Sequence, residues 1–265
     1  MKKLTILALA AIVFAACGGH KNAESSEETD TLKTFEQRQI ESSIKIHLDS
    51  LATELGNLKR PEFLTDTDGK FQLTKQEKQV KPTYLLDASI ADEAVTLAEK
   101  YRVLAALGID RRIARLYEMP EDAYNKSISK LLADIDDPSF KNVKSGGDLF
   151  EASAVLYQAM EENGRINYYW QMGASSLVEE IYFVSQNQEK FLSTFTDETA
   201  SNVSFRVNLL IDALNHLSQY DSEISPVASV MAPLEQLNAT TVEELKEQMD
   251  SLKSEIEGAR KALIK

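Results

Sequence analysis

The 265-residue sequence holds one cysteine, one tryptophan, three histidines, six prolines and ten glycines. A single cysteine, Cys17, can form no disulfide within the chain. Three histidines and no second cysteine leave too few soft ligands for a zinc site. Basic residues are outnumbered, 29 Lys and Arg against 42 Asp and Glu, for a formal net charge of −13. That balance excludes a basic nucleic-acid surface and opposes docking on anionic lipid headgroups. The GxSxG elbow of serine hydrolases is absent. No metal or cofactor is therefore expected. Few prolines and glycines, with apolar residues recurring at helical spacing, predict an all-α protein.

The chain opens MKKLTILALAAIVFAAC. Lys2 and Lys3 precede a short apolar run, Leu4 to Phe14, which is too short to span a bilayer and reads as a secretory signal. Ala15 and Ala16 before the lone Cys17 resemble a bacterial lipobox, although Phe14 sits where Leu is commoner. The resemblance implies cleavage after Ala16, acylation of Cys17 and a membrane contact through that lipid. Gly18 rather than Asp follows the cysteine, which by analogy favours sorting to the outer membrane.

The remaining chain divides by composition and periodicity. Residues 1–16 are the signal peptide and 17–33 a polar, acidic, disordered tether. Residues 34–60 form an amphipathic helix, with Ile44, Leu48, Leu51, Leu55 and Leu58 on one seam. Residues 61–84 are an irregular connector, where Asp68-Gly69 suggests a minor hairpin near 62–74. An EF-hand in that segment is excluded, because Leu64 and Lys75 occupy its first and twelfth positions. Residues 85–238 form the main helical bundle. Residues 239–265 form a heptad helix with Val242, Leu245, Met249, Leu252, Ile256, Ala259 and Leu263 on its seam. The expected whole is an irregular bundle of about 7–9 helices, with long heptad helices near both ends.

Several side chains could carry chemistry. Arg111, Arg112 and Arg115 form a basic cluster that could hold a carboxylate or phosphate, or pair with Glu118 or Asp122. Tyr168, Tyr169 and Trp170 are consecutive, so they cannot share one helix face. One or two of them should fill the core, leaving Tyr168 or Trp170 as a glycan-stacking candidate. Glu179 and Glu180 diverge by about 100° on a helix, which places Glu180 beside the apolar face and Glu179 away from it. Acid–base work from Glu180 would require a setting such as burial against an arginine. Asp212 and His216 lie one turn apart on a polar face.

Three triplets, Asp30-Thr31-Leu32, Asp49-Ser50-Leu51 and Asp250-Ser251-Leu252, resemble the D-(S/T)-apolar O-glycosylation sequon of exported Bacteroidetes-type proteins. Thr31, Ser50 and Ser251 are then the acceptors. The segment SLVEEIYFVSQ, which sets Glu179 three residues before Tyr182, is similar to a recurrent helix in uncharacterised helical lipoproteins of those bacteria. The resemblance implies location and fold, without an assigned activity. The expected function is a non-catalytic interaction or accessory module, anchored in the outer membrane, with a protein partner. The alternative is a small-ligand or glycan-binding lipoprotein serving a transport or degradation system. An exposed apolar seam would favour the first. A pocket lined by Tyr168 or Trp170, with an arginine inside, would favour the second, and Glu179 and Tyr182 are further candidate contacts.

Overall fold

A computed structural model describes residues 35–64, 71–142 and 153–265, and all regular structure among them is helical. The chain divides into units 1–41 and 42–265. Among the described residues the first unit contributes only 35–41, the opening turns of α1 (Phe35–Asn57). Short helices α2 (Lys75–Gln79), α7 (Gln188–Leu192) and α9 (Ser225–Met231) accompany longer ones. The longer ones are α3 (Leu97–Leu116), α4 (Asp122–Ile135), α5 (Ser153–Glu162), α6 (Ile166–Gln186) and α8 (Asp197–Ser218). The chain closes with α10 (Val242–Ser251) and α11 (Lys253–Leu263). Cys17 and Thr31 lie outside the described residues.

Local chemistry explains where helices begin. Thr96 and Glu99 form a capping box at α3: the Glu99 amide donates to Thr96 Oγ1 and the Thr96 amide to Glu99 Oε2. Thr74 and Glu77 do the same at α2, and Thr241 caps α10. Pro226 stands in the first turn of α9, where its missing N–H costs nothing.

The core is organised around α6, which packs on α3, α5, α8 and α11. Every residue from Tyr169 to Ile181 is buried. Close packing of α6 on α8 uses Gly173, where a Cβ would meet Leu210 Cδ2 at 2.9 Å. Asp136 ends α4 in the left-handed region, at φ 46°, and passes its amide to the Leu132 carbonyl.

Both apolar seams are covered by the body. Leu48 and Leu51 are buried, while Ile44, Leu55 and Leu58 pack at the edge of the core. Lys45 pairs with Glu161 and Asp49 accepts from Tyr157, so α1 runs antiparallel to α5. His47 meets Asp212 and Lys59 meets Glu198, so it runs antiparallel to α8 as well. At the other end, Leu245, Met249, Leu252, Ile256, Ala259 and Leu263 are all buried. The expected single helix there is two. Leu252 leaves helical geometry at φ −100°, ψ 17°, yet it still donates to Gln248 and accepts from Ile256. The seam bends without losing its phase.

The hairpin expected near 62–74 does not appear in its described parts. Residues Glu62–Leu64 form a 3-10 turn, and 71–74 contain no strand. Phe63 supplies the reason: its ring lies 5.7 Å from Phe71, 5.7 Å from Phe183 and 4.9 Å from Phe191. Burying Phe63 and Phe71 in one aromatic cluster outweighs a solvent-exposed ladder. Asp68-Gly69 itself lies outside the described residues.

Candidate functional site

Glu179 and Glu180 are both buried, at 2 % and 3 % exposure. The placement of Glu179 away from the core is therefore corrected. Because α6 is packed on several sides, a rotation of about 100° moves a side chain from one interface to another rather than into water. Glu179 accepts from Arg260 Nε at 3.0 and 2.8 Å and from Arg260 Nη2 at 2.6 Å. The Arg260 Cζ atom lies 4.0 Å from the Tyr182 ring centroid. Glu179 and Tyr182, one turn apart on α6, thus grip one guanidinium from α11. Arg260 Nη2 also donates to the Tyr84 carbonyl at 3.0 Å and approaches Asp110 Oδ2 at 3.9 Å.

Asp110 is fully buried on α3. Its Oδ2 accepts from the Leu86 amide at 2.6 Å. Burial, and then the neighbouring Glu179 carboxylate, push the Asp110 pKa well above the ordinary range; the Leu86 amide and Arg260 oppose the shift. Asp110 Oδ1 meets no donor. The raised pKa favours the neutral acid at Asp110, beside the Glu179–Arg260 ion pair.

Glu180 meets the condition set for it, burial against an arginine, and it has two. Arg206 Nη1 donates at 2.7 Å, and Arg60 pairs from the opposite side. Burial alone would raise its pKa, but the two guanidinium groups override that and hold it at about 2. The carboxylate is a fixed anion with both oxygens occupied, unsuited to proton transfer.

The basic cluster divides. Arg111 and Arg112 are buried, and Arg111 Nη1 donates to Asn125 Oδ1 at 3.3 Å. Arg115 makes a forked pair with Glu121. Glu118 sits in a left-handed turn, at φ 52°, and faces Lys78 at 2.6 Å. Only Arg115 of the three is exposed, so they form no common surface. Asp212 meets His47 at 3.2 Å, and the His47 and His216 rings lie 4.6 Å apart. Ser50 and Ser251 are exposed on helices, while the following Leu51 and Leu252 are buried.

The consecutive aromatics separate as their spacing demands. Tyr169 and Trp170 are core residues, and Trp170 is fully buried and out of reach of any ligand in solvent. Tyr168 is half-buried and stacks on Tyr101 at 4.5 Å and 7°. It lines a cleft of about 390 Å³ together with Leu97, Arg102, Val227, Val230 and Leu263. The cleft is bounded by α3, α6, α9 and α11. Arg102 Nε donates to the Leu263 carbonyl at 2.7 Å, Nη1 to Gln171 Oε1 at 2.7 Å and Nη2 to Lys265 O at 3.1 Å.

Arg60, Arg102, Asp110, Arg206 and Arg260 were not legible as site residues. The one signal was a charge inside an apolar run, as with Asp110 in LAALGIDRRIARL. Comparison with protein families, curated proteins and solved structures finds no match.

Proposed function

We propose that the protein is a lipid-anchored envelope lipoprotein whose body binds a small ligand, as an accessory to a transport or degradation system. The cleft carries this reading: it joins Tyr168 and an arginine in one concavity, at a volume usual for small-molecule sites. Both seams are covered, so neither offers the exposed apolar surface that would have favoured an interaction module. The two buried glutamates are each tied to arginine, which supports a binding rather than a catalytic role. Anchoring rests on the lipobox-like end of the signal, and the Bacteroidetes-type assignment on the resemblance of SLVEEIYFVSQ.

Two measurements test the proposal. Mass spectrometry of the mature protein should find an acylated Cys17, and Cys17→Ala should leave unprocessed or soluble protein; an unmodified wild type in the membrane fraction overturns the anchor. A thermal-shift screen of small metabolites and sugars should find compounds that stabilise the body. Ligand at about 100 times its Kd contributes ~2.7 kcal/mol, enough to move a melt by degrees. A screen in which no compound moves the melting temperature overturns the binding role.

A further inference from the structure

We infer that the cleft selects an uncharged, largely apolar molecule and rejects both anions and glycans. The inference rests on the ligand-binding reading above and names its ligand class.

The walls are apolar on three sides. Leu97 and Ala98 come from α3, Val227 and Val230 from α9, and Ala262 and Leu263 from α11. Two charged residues line the cleft, Arg102 and Glu223. Arg102 is 9 % exposed, and all three of its nitrogens already donate to protein oxygens. Turning the guanidinium toward a ligand would release the end of α11 from α3. Glu223 is exposed and faces any anion that enters. An anion therefore finds no free guanidinium donor and meets the exposed Glu223 carboxylate, whereas a neutral ligand needs neither and gains from the apolar walls.

Tyr168 argues against a sugar. A glycan platform needs an open ring face. Tyr168 spends ring surface on Tyr101, stacked at 4.5 Å, and on the Arg165 guanidinium at 5.8 Å. Planar hydrogen-bonding side chains that would read sugar hydroxyls are also scarce on the cleft walls, where Arg102 is committed elsewhere. A volume of about 390 Å³ lies in the range of small-molecule sites and has room for two or three aromatic rings or a short acyl group.

The test uses two probes that share a naphthalene–aniline skeleton, the neutral N-phenyl-1-naphthylamine and the anionic 1-anilinonaphthalene-8-sulfonate. Fluorescence titration of the whole mature chain should show saturable binding of the neutral probe, at least tenfold tighter than the sulfonate. Val230→Trp, which fills the cleft from α9, should weaken the neutral probe tenfold or more. Val230→Lys serves the same end if the tryptophan disturbs the fold, and it should reverse the preference toward the sulfonate. Circular dichroism and melting temperature check that either variant is folded. Saturable binding of neither probe overturns the ligand-binding reading itself. Equal or tighter binding of the sulfonate leaves the site standing and overturns its neutrality. Binding indifferent to both substitutions places the probe elsewhere and overturns the cleft as the site.

Discussion

Asp110→Asn should make the protein more stable at neutral pH and should flatten part of its pH dependence. Burial and the neighbouring Glu179 raise the pKa of Asp110. An unfolded aspartate titrates near ~3.9. Above that pH the unfolded chain has released the proton while the folded chain still holds it. Stability contributed by this group is complete below the unfolded pKa and is lost as pH rises toward the folded value. The slope in that window is about 1.4 kcal/mol per pH unit. Asparagine copies the protonated acid. Its Oδ1 can accept from the Leu86 amide, as Asp110 Oδ2 does at 2.6 Å, and its Nδ2 can donate to Glu179. The stability difference, variant minus wild type, should therefore climb from about pH 4 with that slope and then level off. Urea melts at one-unit pH intervals, read by the single tryptophan, Trp170, measure it directly. Asp110→Ala is the control. It strands the Leu86 amide and should cost about 1–3 kcal/mol. Parallel curves for Asp110→Asn and wild type from pH 4 to 7 would refute the raised pKa of Asp110.

Two further substitutions probe the packing. Glu180→Gln removes the buried carboxylate that Arg60 and Arg206 share and should cost about 3–5 kcal/mol at pH 7. Because the Glu180 pKa is depressed to about 2, its contribution is present above the unfolded value and is lost as pH falls toward 2; the variant and wild-type melts should converge in acid. Leu252→Asp places a carboxylate in the kinked seam between α10 and α11 and should exceed the ~2–5 kcal/mol typical of Leu→Ala. An unchanged melting temperature for Leu252→Asp would show that the seam contributes nothing to the core.

Much of the helical framework follows from spacing and caps alone. The two heptad seams, the Thr241 cap and Pro226 at the start of α9 are local signals, and each stands where the pattern puts it. Among the described residues of the expected hairpin no strand forms, because a Gly-containing turn says nothing about which distant phenylalanines will gather around Phe63. Glu179 was misplaced for a similar reason. An amphipathic rotation assumes one wet side, and α6 has no continuous wet side. The spacing of Glu179 and Tyr182 was visible, but their ligand Arg260 lies 81 residues further on, beyond any local pattern. The arginines at 111 and 112 looked like a surface patch because sequence carries charge but not depth. Tyr168 was separable from Trp170 by helix geometry, whereas the cleft beside it is a product of four helices meeting.

The shared grip on Arg260 also bears on inheritance. A change at Arg260 alone leaves two acids facing each other across α3 and α6, with nothing between them. A change at Glu179 alone leaves a guanidinium stacked on Tyr182 with Asp110 as its nearest acid. Intermediates of either kind are poor folds, so drift at these positions has to be concerted. In any descendant lineage Glu179 and Arg260 should be kept or replaced as a pair, with Tyr182 following the arginine, while Asp110 can change to Asn alone. That joint pattern, spread over two helices and read as correlated change, is a fingerprint by which distant kin could be recognised after overall identity has decayed.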